Sequence, residues 1–318
     1  MHALGVVFQA RFYITMCQLL GMNCATPTDF VFSFKGFARR GGATDCHQDG
    51  WGLVFYEGRG VRAFHDPSPA AKSPIADLVS NYPCKTLNMI AHIRYATSGA
   101  CLLENVHPFQ RELFGIIFSF AHNGDVPSYK KSNNCSADDH KKCRLNQNIY
   151  TPVGSTDSEA VFCTLLNELR NNFTELPTLP VLYEFLRTFN EEIIQSHNNE
   201  VVIFNYLLSC GENILFAFSW PGSRPGSKVW NGLYYLVRSY PFRMAKLKDC
   251  DLCVDFSQVT TPNDRVAVVA TSPLTEDEVW TEFDKGQLIM FDRGIPHLSS
   301  EECAQAEREG RGLKSNFY

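Results

Sequence analysis

Four short segments of the 318-residue chain place polar or charged groups where otherwise apolar stretches end: Met16-Cys17, His92-Ile93-Arg94-Tyr95-Ala96-Thr97, His122-Asn123-Gly124 and Thr156-Asp157-Ser158-Glu159. Loops at strand ends are where a rigid scaffold presents functional groups. Together the segments offer a thiol, a guanidinium with a hydroxyl nearby, a side-chain amide beside a glycine, and a carboxylate. An acyl-transfer site can be assembled from such groups. Each segment alone also has a plainer reading. A lone buried arginine is usually an ion-pair partner, His-Asn-Gly is usually a turn, and Asp-Ser-Glu usually caps a helix.

The elements that must position these groups are legible in outline. Cys17–Cys24 reads as a strand. Thr28–Arg39 reads as a helix with Phe30, Phe34 and Phe37 on one face, and Pro27 suits its start. Trp51–Glu57 and Val61–Phe64 form a hairpin across Gly58–Gly60, and Met89–Tyr95 and Ile116–His122 are further apolar strands. Ser158–Arg170 and Leu179–Ile194 have helical periodicity, and Ser155 or Thr156 with Glu159 resembles a capping arrangement. Strands are expected at Val201–Leu208, Ile214–Trp220, Leu233–Val237 and Val266–Thr271. Lys130–Asn148 is polar and reads as an exposed loop. With no internal repeat or convincing linker, one α+β domain accommodates the pattern: two sheets with helices outside them.

Composition sets the outer bounds. The chain is 44% hydrophobic and 20% charged, ordinary for a globular protein. A net charge of −5 gives no electrostatic reason to expect nucleic acid or an anionic membrane. No apolar run is long enough to span a bilayer. Residues 1–15 lack the layout of a secretory signal. The twelve cysteines are too dispersed for a disulfide scaffold, and most read as small buried hydrophobes in a reducing, cytoplasmic setting.

The combination and order of the segments closely resemble class II glutamine amidotransferases, in particular the compact bacterial YafJ-type members. The resemblance is carried by MCQLLGMN, FSFKGFARRGG, HQDGWGLVFYEG, FHDPSPAAKSPIADLV, AHIRYAT, ENVHPFQRELFG, FAHNGDVPSYK, VGSTDSEAVFCTLL and TTPNDRVAVVATSPLT, which cover most of Met16 to about Phe291. It implies the four-layer αββα fold of N-terminal-nucleophile hydrolases, built from two mainly antiparallel sheets.

Under that resemblance each residue takes a chemical role. Hydrolysing a carboxamide needs a nucleophile, a base and stabilisation of the oxyanion. A cysteine at the chain start supplies the first two, because its free α-amine, with a reference pKa of about 8, exchanges protons at neutral pH. Cys17 is therefore the expected nucleophile once everything before it is removed. The resemblance implies that Asn123 and Gly124 form the oxyanion hole. It also implies that Arg94 grips a substrate α-carboxylate bidentately, with Thr97 alongside, and that Asp157 takes the α-ammonium. The competing reading for Arg94 and Asp157 is an internal ion pair.

Other segments are weaker. The glycines of Asp49-Gly50-Trp51-Gly52 are expected to let backbone pass close by, with Trp51 in the core. Arg40-Gly41-Gly42 is a lesser candidate for the glutamine pocket. His92 and His107 read as satisfied structural histidines rather than bases. Cys250-Asp251-Leu252-Cys253 is a lone CxxC whose nearest partners for a zinc site, Cys135, His140 and Cys143, nothing in the sequence brings together, so no metal is expected. No cofactor is expected either.

The division is therefore residues 1–16 as an extension or propeptide, 17–295 as the glutamine amidotransferase domain and 296–318 as a charged tail. Met16 matches the usual family start, so residues 1–15 read as an over-long start in preference to a propeptide. The expected reaction is hydrolysis of the γ-carboxamide of glutamine, or of a related γ-glutamyl compound, through a Cys17 thioester. One alternative is a glutaminase subunit delivering ammonia to a separate synthase. Another is an inactive module binding glutamate or glutamine, if residues 1–16 are retained.

Overall fold

Most of the apolar runs pair into two antiparallel sheets. The structure, a computed structural model, describes residues 17–96, 100–130, 148–197, 201–223 and 231–299. The first sheet contains β1 (Gln18–Asp29), β2 (Trp51–Glu57), β3 (Gly60–Asp66), β4 (Lys85–Ile93), β9 (Tyr234–Ser239), β12 (Arg265–Ala270) and β13 (Thr281–Glu282), in the order β13-β9-β12-β1-β4-β2-β3. The second contains β5 (Phe109–Leu113), β6 (Ile116–Asp125), β7 (Ile203–Cys210), β8 (Ile214–Trp220), β14 (Gln287–Asp292) and β15 (Ile295–His297), in the order β15-β14-β8-β7-β6-β5. A separate small ribbon pairs β10 (Met244–Lys246) with β11 (Cys253–Asp255).

Three apolar layers follow from the period-two alternation of these strands. Leu19, Ile90, Ala121, Leu207, Leu215, Val269 and Ile289 fill the space between the sheets. On the outer face of the first sheet, Leu20, Met22, Met89 and Leu53 meet the phenylalanine face of α1 (Val31–Arg39) and the short α2 (Pro74–Ser80). On the outer face of the second, Phe118, Phe120, Phe204 and Phe216 pack with α3 (Asp157–Asn172) and α4 (Leu179–Gln195). The result is the expected four-layer αββα sandwich of N-terminal-nucleophile hydrolases.

Strand ends shift by up to five residues from expectation, and the junction of β1 with α1 shows why. Thr28 and Asp29 pair with Thr86 and Lys85 after a register shift, so Pro27 lies within the irregular end of β1 rather than at a helix start. The helix begins at Val31, whose N–H donates to Asp29 Oδ1 at 2.7 Å. The phenylalanine stripe survives because α1 keeps Phe34 and Phe37 on its buried side. Elsewhere Thr156 caps α3 by accepting the Glu159 N–H, as the capping pattern implied. The Glu159 carboxylate, however, turns to the Gly154 N–H at 2.7 Å, not back to the cap. Of nine described cysteines three are buried, Cys24, Cys163 and Cys210, fewer than expected. Burial pushes their thiols up, Cys163 to about 11 and the other two to about 12.

Candidate active site

Strand register brings the candidate residues to one end of the space between the sheets. On β1 and β4, Leu19 pairs with His92 and Gln18 with Ile93. Leu19 faces the inter-sheet layer, so alternation turns Cys17, two residues earlier, to the same side. Ala121 of β6 also faces that layer, and so does Asn123 two residues on. The thiol and the amide thus approach from opposite sheets, and Asn123 Nδ2 donates to the Cys17 carbonyl.

The half-buried Cys17 sits against Tyr95. Its Sγ lies 3.2 Å from the Tyr95 N and 3.4 Å from the Tyr95 carbonyl, so one backbone residue offers the sulfur both a donor and an acceptor. Asn123 is fully buried and held from several directions. Its Nδ2 also lies 3.3 Å from Thr271 Oγ1, its Oδ1 accepts from Asn231 Nδ2 at 3.3 Å, and its carbonyl accepts from Asn205 Nδ2 at 3.1 Å. Behind it, Ser219 donates to Asn205 Oδ1 and accepts the Leu233 N–H. A cap of polar side chains from four strand ends or loops therefore fixes the amide plane.

The buried Arg94 follows β4, and its Nη1 donates to the Ala100 carbonyl at 3.1 Å. Asn105 reads the same carbonyl and accepts the Ser155 N–H at 2.9 Å, joining the Arg94 loop to the start of α3. There Asp157, also buried, accepts the Val126 N–H at 2.8 Å. These hydrogen bonds of the two charges run to backbone groups, from Arg94 to the Ala100 carbonyl and to Asp157 from the Val126 N–H. Thr97 lies outside the described residues.

Residues 16–313 match the glutamine amidotransferases class-II family. The chain belongs to that family. A candidate glutamine amidotransferase of Haemophilus influenzae is 42% identical over 286 residues, 89% of this chain and 87% of the relative. The candidate glutamine amidotransferase YafJ of Escherichia coli is 41% identical over 277 residues, 87% of this chain and 97% of its own length. Among solved structures, a predicted glutamine amidotransferase from Pseudomonas aeruginosa PA01 superposes with a TM-score of 0.61 at 36% identity, over 88% of this chain and 99% of its own.

Around this candidate site, the secondary candidates sort by contact. Gly52 is required: a Cβ there would lie 2.1 Å from the His107 carbonyl oxygen. Trp51 is core, 5.6 Å from Phe34. The buried Arg40 donates to the Asp249 carboxylate, to the Ser272 and Pro273 carbonyls and to Gln18 Oε1, so it braces the ends of β1 and β12. His107 is satisfied, its Nδ1 accepting the His122 N–H. His92, 4.2 Å away ring to ring, is not: neither of its buried nitrogens meets a hydrogen-bond partner. Burial above all, then the positive Arg94, holds His92 well below the ordinary histidine pKa. Burial does the same for His107, with the neighbouring histidines next.

Asp49, at the head of the Asp49–Gly52 segment, takes the Ala96 N–H on its Oδ2 at 2.7 Å, a contact the sequence did not indicate. Thr271, Asn231 and Asn205 were not singled out in the sequence, and they reach Asn123 only through the fold. Among the described residues, no three His, Cys, Asp or Glu side chains cluster as metal ligands. Cys135, His140 and Cys143 lie outside the described residues. No helix among the described residues is long and apolar enough to cross a membrane.

Proposed function

We propose that the protein hydrolyses the γ-carboxamide of glutamine, or the γ-glutamyl amide of a related small compound, through a Cys17 thioester. The observation that carries this reading is the meeting of Cys17 with Asn123 across the two sheets, in a chain of the class II amidotransferase family. Cys17 Sγ attacks the γ-carbonyl carbon and passes its proton to the α-amine that Cys17 carries as first residue. The tetrahedral oxyanion is received by Asn123 Nδ2 and the Gly124 N–H. The C–N bond then breaks, ammonia or an amine leaves with the proton, and water hydrolyses the thioester to release glutamate.

Asn123 Nδ2 is directed at the Cys17 carbonyl and Thr271, so receiving the oxyanion means exchanging one of these acceptors. Arg94 with Thr97 holds the α-carboxylate and Asp157 the α-ammonium. Each buried charge would face an opposite charge of the substrate, which favours a zwitterionic glutamyl group over ligands lacking one.

The test is release of glutamate and ammonia from glutamine by protein prepared with Cys17 as its first residue, confirmed by intact mass. Turnover abolished by Cys17→Ala supports the reading; equal turnover by the alanine variant would sink it. γ-Glutamyl peptides assayed beside glutamine define the leaving group. Turnover that appears only with a second protein added would reassign the chain as an ammonia-supplying subunit.

A further inference from the structure

His122 joins the two halves of the proposed site, and resting on that proposal it has a role beyond filling space. Its ring points away from the inter-sheet layer, packed 5.3 Å from Phe204, and is almost wholly buried. Nε2 lies 3.3 Å from the Ile203 carbonyl and Nδ1 lies 2.8 Å from Ser158 Oγ. A carbonyl only accepts, so Nε2 carries the proton and Nδ1 accepts from the Ser158 hydroxyl. His122 immediately precedes Asn123, and Ser158 immediately follows Asp157. The bond therefore ties the strand bearing the oxyanion donors to the helix turn bearing the ammonium clamp. A second tie, from the Val126 N–H to Asp157 Oδ2, runs between the same two elements.

Gly124 belongs to this arrangement. A Cβ there would lie 2.5 Å from His122 Nε2 and 1.8 Å from the Ile203 carbonyl oxygen, so the ring's seat exists only beside glycine. The His107 contact to the His122 N–H fixes the same peptide from the other side.

We propose that the Ser158–His122 bridge is a positioning device that sets the separation between the Asn123–Gly124 oxyanion donors and Asp157. The site thereby measures the distance from the γ-carbonyl to the α-ammonium of a glutamyl substrate. Losing a buried hydrogen bond of this kind is worth about a tenfold change.

Ser158→Ala is expected to lower kcat/KM for glutamine about tenfold. Glutaramate, which keeps the γ-carboxamide but has no α-ammonium, should lose much less. In an Asp157→Asn background the Ser158→Ala effect on glutamine should largely vanish, because the two act on one contact. Ser158→Thr, which retains the hydroxyl, should restore most of the loss. Equal losses on both substrates, or independent effects of Ser158→Ala and Asp157→Asn, would overturn the proposal and leave Ser158 a merely structural residue. Thermal midpoints identify any variant that fails to fold; for these, His122→Gln is put through the same comparison, with the same outcomes deciding. If the wild type turns over no γ-glutamyl amide, the hydrolase reading fails by itself. The cycle is then read from calorimetric affinity for glutamate, where additivity again overturns the bridge. A wild type that also fails to bind glutamate overturns both.

Discussion

The two ends of β1 lie in contrasting surroundings. At its start, Cys17 meets Asn123, and the buried Arg94 and Asp157 are hydrogen-bonded to the Ala100 carbonyl and the Val126 N–H. At its far end a cavity of about 400 Å³ opens between the sheet and α1, lined by Met22, Phe32, Phe242, Phe256, Val259 and Val266. Two charged groups of its lining, Arg238 and Asp264, are held by nearby groups. Arg238 grips Glu278 through two 2.7 Å bonds and lies over Phe256, while Asp264 accepts from Thr26 and from the Thr261 N–H. Room for a small molecule exists at the far end, yet the groups that could act on one lie at the other. Burying charged groups is costly, and the gathering of a thiol, a side-chain amide and two buried charges at one strand end is a better pointer to a candidate site than cavity volume is.

The largest effect that could break this contrast is at Asn123. Asn123→Ala should lower kcat for glutamine about a hundred- to a thousandfold, with KM changed far less, because an oxyanion donor acts mainly in the transition state. Steady-state kinetics on folded variant protein checks it, and near-normal turnover would remove Asn123 from the oxyanion hole. Next comes Arg94→Lys, expected to raise KM for glutamine about tenfold while kcat changes little, since a point charge loses the bidentate grip. An unchanged KM would return Arg94 to the plainer role of holding the Ala100 loop.

Much of the fold, and part of the candidate site, could be read in the sequence, for physical reasons that differ along the chain, whereas the far cavity could not. Trp51–Glu57 and Ile214–Trp220 are continuous apolar runs, and both are strands to the residue. By contrast α2 has only seven residues, too few for periodicity to register, although Ser73 before Pro74 is a cap followed by a first-turn proline. Pro27 misled because proline permits a helix start as readily as an irregular strand end, and pairing with β4 decided between them. At the site, Cys17, Arg94, Asn123 and Asp157 stood out by type and context. Asn205, Asn231 and Thr271 did not, since an isolated Asn or Thr in a strand-rich half carries no local signal. They reach Asn123 only once the sheets are in register.

Acid should separate the ends through stability. His92 and His107 lie by the site and are held neutral by burial, their pKa values well below the ordinary range. The unfolded chain takes up protons near pH 6.5 while the fold does not, so stability is complete above that pH and falls as pH drops below it. The slope is about 1.4 kcal/mol per pH unit for each histidine. Denaturant unfolding at pH 7.5, 6.5 and 5.5 measures it, and a profile flat over that range would contradict the neutral, buried assignment.

The smallest effect is expected at the far cavity. Val259 is 74% exposed on its rim, so Val259→Ser removes little buried surface and should change stability by no more than about 0.5 kcal/mol. Turnover of glutamine should match wild type, because the residues lining that cavity do not include Cys17, Asn123, Arg94 or Asp157. The informative result is a kinetic change without a stability change. β1 runs continuously from Gln18 beside the thiol to Thr26 and Asp29 at the cavity, so such a change would mean that the strand transmits a disturbance along its length. The two ends would then have to be treated as one coupled unit, with the cavity as a place from which the site can be influenced.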